Sequence, residues 1–220
     1  MDVIQFAPYD ELASTILRSY RAEGDGAHDI SHLERVWRNV KAIQAVEGGD
    51  LEILAAAVLL HDCVQIPKNS PLRGNASKLA AAEARSRLGS LQWEESRIQI
   101  VAGAIESHSF SAGIAPSSLE GRILQDADRL DAIGHIGIAR CFYTAGFMAS
   151  GLYDLSDPKG KSRPLDDRRF ALDHFPMKLL RLADGFQTSC GQRLARERQQ
   201  ALQDFYDGIL AEIGSLPGAE

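Results

Sequence analysis

Four residues of this chain have side chains that commonly bind metal ions, and they are widely spaced: His32, the adjacent pair His61 and Asp62, and Asp128. The adjacent pair directly follows seven consecutive apolar residues, 54–60. A helix this apolar is buried on nearly all sides, and an ionised carboxylate beside it is costly unless something compensates its charge. A bound divalent cation would do so, and two imidazoles with two carboxylates suit Mn²⁺, Fe²⁺, Co²⁺, Ni²⁺ or Zn²⁺.

Each of these residues also has an ordinary structural interpretation. A single helical histidine is more often a hydrogen-bonded core or surface residue, and a second His-Asp pair occurs at His28 and Asp29. Asp128 could be a solvated residue that pairs with Arg129. The ordered set indicates a metal site better than any member does alone. Four protein ligands on an octahedral ion would leave positions for water and substrate, as in catalytic sites.

Apolar residues recur every three to four positions through most of the chain, and no run alternates as a strand would. This periodicity predicts an all-α fold in one domain spanning residues 1–220. The predicted helices cover about 30–47, 51–63, 76–89, 93–108, 119–134, 135–150, 168–183 and 186–213. The segments 65–75 and 111–118 are predicted loops, and 154–167 is predicted to be a mobile, charged loop.

Composition excludes several classes of protein. The net charge of −6 disfavours a polynucleotide partner, and no window resembles a membrane span or a signal peptide. The three cysteines are far apart, so we expect neither a disulfide framework nor a cysteine zinc site. Cys63 follows Asp62 and is either a nearby reactive thiol or, as we favour, a small buried hydrophobe. We expect a cytoplasmic protein.

Three segments resemble the HD-domain superfamily of metal-dependent phosphohydrolases: His-Asp-x-x-His-x-x-Arg-Val at 28–36, Leu-Leu-His-Asp at 59–62 and Asp-Ala-Asp-Arg-Leu-Asp-Ala at 126–132. Further segments are similar to a bacterial subgroup of small stand-alone HD hydrolases: 67–69, 107–109, 137–140, 174–175 and 178–180. The resemblance covers roughly 25–185. It implies a helical bundle with an HD core at about 25–150, on which C-terminal helices at about 168–213 pack.

The resemblance implies that His32, His61, Asp62 and Asp128 bind the metal. It selects Asp128 within its acidic cluster because the family places the ligand directly before Arg-Leu. Binuclear relatives carry further histidines before the last aspartate, whereas only His108 lies there in this chain. We therefore expect one ion per chain, with Mn²⁺ preferred and Mg²⁺, Co²⁺, Ni²⁺, Fe²⁺ or Zn²⁺ as alternatives. His28 is expected near the ion, with direct contact left open.

The candidate catalytic residues are Asp62, which could orient the attacking water, and His108. For His108 a buried histidine within the core is the competing interpretation. The candidate substrate-binding residues are Arg35, Lys68, Arg73, His174 and Lys178. Arg35 and Arg129 could instead support the ligands through ion pairs. A basic cluster at 159–163 could close over substrate or remain a solvated loop.

The sequence lacks the glycine-rich phosphate loop of P-loop enzymes and the Gly-x-Ser-x-Gly motif of serine hydrolases. The resemblance implies a phosphohydrolase or pyrophosphohydrolase acting on a small phosphate ester, and a nucleoside or deoxynucleoside triphosphate is the preferred substrate. The alternatives are a guanosine polyphosphate hydrolase and a non-catalytic nucleotide-binding module. No polynucleotide or membrane partner is expected, and the sequence makes no prediction of oligomeric state.

Overall fold

The computed structural model describes residues 5–18, 30–64, 66, 73–109 and 112–214. Within these residues the chain contains no β-strand, and an isolated bridge pairs Gly151 with Phe170. The all-α prediction is confirmed. The α-helices are α1 (Asp10–Leu17), α2 (Ile30–Glu47), α3 (Leu51–Leu60), α4 (Ala76–Ser90), α5 (Glu95–His108), α6 (Leu119–Asp131), α7 (Gly134–Phe147), α8 (His174–Met177) and α9 (Ser189–Gly214). Short 3₁₀ turns cover Arg73–Asn75, Ala171–Asp173 and Leu179–Arg181.

The chain divides into two compact units. The first comprises residues 1–129 and 187–191, and the second comprises 130–186 and 192–220. This division does not test the prediction of one domain across 1–220, which stays a prediction. Within the described residues no helix combines the length and the apolar character needed to cross a membrane.

Helix α3 is the centre of the first unit, and every residue from Ile53 to Leu60 is buried. Its first turn is capped by Asp50, whose carboxylate accepts hydrogen bonds from the backbone N–H groups of Glu52 and Ile53. The helix ends at Leu60, three residues before the predicted end. The His61 ring bonds to the Val58 carbonyl, and Cys63 N–H donates to Leu60 in a tighter turn. These bonds replace the next turn of α3.

Helix α2 buries one apolar face inside the first unit, as its periodicity predicts. Val36, Trp37, Val40 and Ile43 are fully buried, and the Phe6 ring stacks on the Trp37 ring at a centroid distance of 5.3 Å. The short helix α1 was not predicted. Its buried residues, Ala13 and Ile16, make one apolar turn, and a pattern that short falls below what periodicity can distinguish from a loop.

In the second unit the predicted helix at 168–183 is wrong. The segment instead forms two 3₁₀ turns on either side of the four-residue α8. Pro176 has no backbone N–H and would cost about 3 kcal/mol inside a long helix, whereas in α8 it lies in the first turn, where that N–H is not needed. Lys178 then leaves helical geometry, at φ −137° and ψ −62°.

The loop at 154–167, predicted to be mobile, is closely hydrogen-bonded to itself and to its own unit. Asp157 accepts bonds from the backbone N–H groups of Lys161 and Ser162. The Arg163 guanidinium binds both carboxylate oxygens of the buried Asp173, at 2.6 and 2.8 Å. Asp157 is therefore satisfied by backbone donors and Arg163 by Asp173, while closure of the basic cluster over substrate stays a prediction.

Candidate metal centre

The four candidate metal ligands and the candidate catalytic residue His108 lie at the ends of four helices in the first unit. His32 is in the first turn of α2, His61 and Asp62 directly follow α3, His108 is the last residue of α5, and Asp128 lies in the last turn of α6. Backbone carbonyls in the last turn of a helix lack helical partners and accept bonds from nearby side chains. A histidine at the C-terminus of a helix can therefore be oriented by a hydrogen bond to one of these carbonyls.

Two of the histidines are oriented by the same local device. His61 Nδ1 lies 2.8 Å from the carbonyl oxygen of Val58, and His108 Nδ1 lies 2.6 Å from that of Ile105. In both cases the carbonyl belongs to the residue three positions earlier at a helix C-terminus. Because a carbonyl can only accept, Nδ1 carries the proton, and Nε2 of each neutral ring carries a lone pair. This is the tautomer a metal-ligating histidine needs.

The Nε2 atoms of His32 and His61 lie close to each other and to one oxygen each of Asp62 and Asp128. His32 Nε2 lies 3.3 Å from His61 Nε2 and 3.5 Å from Asp128 Oδ1. His61 Nε2 lies 3.6 Å from Asp62 Oδ2 and 3.8 Å from Asp128 Oδ1. Asp62 Oδ2 lies 4.0 Å from His32 Nε2. Ligands about 2.1 Å from a shared divalent cation lie roughly 3 to 3.5 Å apart, so the observed spacing fits such an ion with small adjustments.

Burial favours the same assignment. His32 and His61 are each 1% exposed, while Asp62 and Asp128 are half-buried. Burial lowers the pKa of His61, although Asp62 and Asp128 act in the opposite direction. A neutral imidazole with a lone pair, beside carboxylates that can face solvent, is a donor set suited to a divalent transition metal.

The two neighbouring aspartates of α6 have other partners. Asp126 is fully buried and accepts bonds from the backbone N–H of Gln187 and from the backbone N–H and hydroxyl of Thr188. Burial raises the pKa of Asp126 even though these bonds favour its charged form. The Asp131 carboxylate lies 3.0 Å from Arg140 Nη1. Asp128 is therefore the member of the cluster that lies beside the histidines.

Two buried amides next to the site were not predicted. Asn39 Nδ2 donates to the carbonyl of Ala127 at 2.9 Å, in the peptide unit that leads into Asp128. Gln125 Nε2 donates to the carbonyl of Ser107 at 2.7 Å, in the peptide unit that leads into His108. Asn39 lies seven residues after His32, on the same face of α2. The sequence shows this seven-residue spacing, but it does not show whether the Asn39 side chain is buried or faces solvent.

His108 lies beside the candidate ligands. Its Nε2 is 3.8 Å from Asp62 Oδ1, and the side chain is buried. His61, Asp62 and His108 thus form a second group of close donor atoms that shares His61 with the group of His32, His61 and Asp128. The role of His108 in catalysis stays a prediction.

The structure places the remaining candidates as follows. Arg35 donates to the hydroxyl of Ser31 at 2.8 Å on α2. His174 and Lys178 lie in the second unit, where His174 Nδ1 is 2.8 Å from Asp167 Oδ2 and Lys178 is exposed. Lys68, His28 and the Arg73 side chain lie outside the described residues. Their predicted contacts with substrate or metal stay predictions.

Cys63 is half-buried, and its thiol donates to the carbonyl of Ala80 at 3.7 Å. Burial raises the pKa of this thiol to about 11. A thiolate is both the nucleophilic and the metal-binding form of cysteine, so a high pKa opposes either role.

Buried histidines from separate helices, grouped with carboxylates in an all-α fold, form a donor set that could hold a metal ion. The HD domain model matches residues 29–133. The chain is also 33% identical over 210 residues to the uncharacterized protein YpgQ of Bacillus subtilis, a match that covers 94% of each chain. This chain belongs to the HD-domain family.

Solved structures agree with that assignment. The chain matches the crystal structure of Bacillus subtilis YpgQ in complex with ADP at a TM-score of 0.69 and 31% identity, covering 94% of this chain and 98% of that one. It matches an HD-superfamily hydrolase from Bacillus thuringiensis at a TM-score of 0.69 and 29% identity, covering 94% of this chain and 95% of the other. Both likenesses extend well beyond the residues that the family model covers.

Proposed function

We propose that this protein is a metal-dependent phosphohydrolase or pyrophosphohydrolase that acts on a nucleotide, with nucleoside and deoxynucleoside triphosphates as the preferred substrates. The observation that carries the proposal is a pair of imidazole nitrogens 3.3 Å apart, with one oxygen each of Asp62 and Asp128 lying 3.5 to 4.0 Å from both nitrogens, at the ends of α2, α3 and α6. The choice of a nucleotide is supported by the complex of the related YpgQ with ADP.

His32, His61, Asp62 and Asp128 would hold one divalent cation, with Mn²⁺ preferred. Such an ion lowers the pKa of water and neutralises charge on a phosphoryl group. Phosphoryl transfer depends mainly on positioning and charge neutralisation, so it needs no covalent nucleophile from the protein.

The two oxygens of Asp62 face different groups, which lets this residue serve two purposes. Oδ2 lies 3.6 Å from His61 Nε2, whereas Oδ1 lies 3.8 Å from His108 Nε2. In the proposed reaction Oδ1 accepts the proton of the attacking water as the water oxygen bonds to phosphorus. The bond between phosphorus and the leaving phosphate oxygen breaks. His108 Nε2, which carries a lone pair, orients the water by accepting its other hydrogen.

Product-resolved turnover of a nucleotide panel by metal-stripped protein, with and without Mn²⁺, tests this proposal. We expect Mn²⁺-dependent hydrolysis that is lost in Asp62→Ala and retained in Asp204→Ala, which removes an exposed carboxylate of α9. The released fragment, pyrophosphate or phosphate, identifies the bond cleaved. Mn²⁺ binding without any turnover would refute the nucleotide assignment and leave the metal site standing. Turnover of guanosine polyphosphates alone would select that alternative.

A further inference from the structure

The outer face of α7 is apolar along its length. Ile136, Tyr143 and Phe147 are 39%, 57% and 86% exposed. At 3.6 residues per turn these three side chains fall within about 40° of one another around the helix axis. Ala139 and Gly146 are also exposed on this side, and none of the five residues carries a charge. We call these five residues the α7 face.

Three large apolar side chains in the residues that follow α7 are also exposed. Met148, Leu152 and Leu155 are 50%, 57% and 88% exposed. Summed with the α7 face, these side chains expose an apolar area on the order of 600 to 700 Å², which approaches the roughly 800 Å² per partner of a standard interface.

The order of large and small residues makes the α7 face complementary to itself. Tyr143 lies midway between Ala139 and Phe147. If two copies of α7 cross in antiparallel orientation about a two-fold axis at Tyr143, Phe147 of each copy falls opposite the partner's Ala139. A Cβ added at Gly146 would meet no atom within 4 Å, so the backbone there can be approached closely. An isologous interface requires this kind of self-complementarity.

We propose that the α7 face binds the same face of a second copy of this chain and forms a two-fold symmetric dimer. Because the face is uncharged, bringing two copies together creates no like-charge repulsion within it. The nearest cation along the helix, Arg140, is half-buried and bound to Asp131 within the same unit. The proposal does not depend on the nucleotide hydrolysis proposed above.

Sedimentation or light scattering of the full chain, over a wide range of concentration, tests this proposal. We expect a mass about twice the 24.0 kDa of one chain. Phe147→Glu should shift the protein to the monomer, because it would place two carboxylates in an apolar interface. Val46→Glu is the matched control, since Val46 is 64% exposed on α2 and lies outside the α7 face. Circular dichroism of each variant establishes that it folds.

A wild-type protein that remains monomeric at high concentration would overturn the proposal. So would a dimer that persists in both Phe147→Glu and Tyr143→Glu, since it would use another surface.

Disulfide cross-linking tests the symmetry itself. Tyr143→Cys places one thiol from each copy at the proposed axis and should give a covalent dimer on mild oxidation, whereas Val46→Cys should not. Burial raises the pKa of Cys63 and of Cys141 to about 11, so the native thiols of these residues should oxidise slowly. A dimer that Phe147→Glu dissociates but that Tyr143→Cys fails to cross-link would refute the antiparallel two-fold arrangement.

Discussion

His61 and Phe147 depart from the ordinary pattern of burial in opposite directions. His61 is a polar side chain that is 1% exposed, and Phe147 is an aromatic side chain that is 86% exposed. The first belongs to a cluster of buried polar groups in the first unit, and the second to an apolar face in the second unit. Buried polar groups and large exposed apolar patches are the informative exceptions in a folded protein. We propose a metal site from the first exception and a dimer interface from the second.

The largest effect that we predict is on metal binding, and it should distinguish substitutions at two aspartates that lie two residues apart on α6. We expect Asp128→Asn to weaken Mn²⁺ binding by at least roughly a hundredfold, with little loss of stability, because its carboxylate lies beside the histidines. Asp126→Asn should instead lower the free energy of unfolding by about 1–3 kcal/mol, because its amide would place N–H groups against the donors of Gln187 and Thr188.

Calorimetric titration with Mn²⁺ and thermal unfolding of both variants provide the measurements. If Asp126→Asn abolished metal binding while Asp128→Asn retained it, the assignment of the ligand within α6 would be wrong.

The buried amide of Asn39 should have a smaller effect on the same site. We expect Asn39→Ala to weaken Mn²⁺ binding by roughly tenfold, because the carbonyl of Ala127, next to Asp128, would lose its anchor. Gln44→Ala is the matched control on α2, since its amide donates to Gly49 instead. Equal metal affinity in both variants would show that Asn39 has only a structural role, which thermal unfolding would measure separately.

Replacing each of two glycines of α9 with alanine should change the free energy of unfolding in opposite directions. A Cβ at Gly191 would collide with Asp126 Oδ2, so Gly191→Ala should lower the free energy of unfolding by about 1–3 kcal/mol. A Cβ at Gly208 would meet no atom within 4 Å, so Gly208→Ala should raise that free energy by about 0.4–1 kcal/mol. Denaturant unfolding measures both, and destabilisation by Gly208→Ala would contradict the open space seen there.

The smallest effect is expected at Cys63, directly after the candidate ligands. Its raised pKa, about 11, leaves only about one thiol in a thousand ionised at pH 8. Cys63→Ala should therefore leave hydrolysis within about twofold of wild type. Alkylation of this thiol by iodoacetamide should accelerate as the pH rises toward 11. Rapid alkylation at pH 7 that also stops turnover would restore the interpretation of Cys63 as a reactive thiol.

The sequence could predict the all-α fold and the set of candidate ligands because both leave periodic or short local patterns. It could not predict the end of α3 at Leu60, because that end depends on the His61 ring bonding to Val58. Nor could it predict Asn39 and Gln125, since a helical amide looks the same in sequence whether it faces solvent or a distant carbonyl.

The second unit was harder to predict for related reasons. The apolar residues at 135–150 predicted α7, but periodicity does not say which apolar face the rest of the fold leaves uncovered. The helix predicted at 168–183 is broken near Pro176. Proline is tolerated in the first turn of a helix but not in its interior, and the sequence alone does not say where the helix begins.

The most direct test of the central claim is a crystal structure of the protein soaked in Mn²⁺, with the ion located by its anomalous scattering. We predict a single peak per chain within bonding distance of His32 Nε2, His61 Nε2, Asp62 Oδ2 and Asp128 Oδ1. Absence of a peak there at saturating Mn²⁺ would contradict the claim. A peak bound by His61, Asp62 and His108 without His32 and Asp128 would place the metal in the neighbouring group of donors and refute the proposed ligand set.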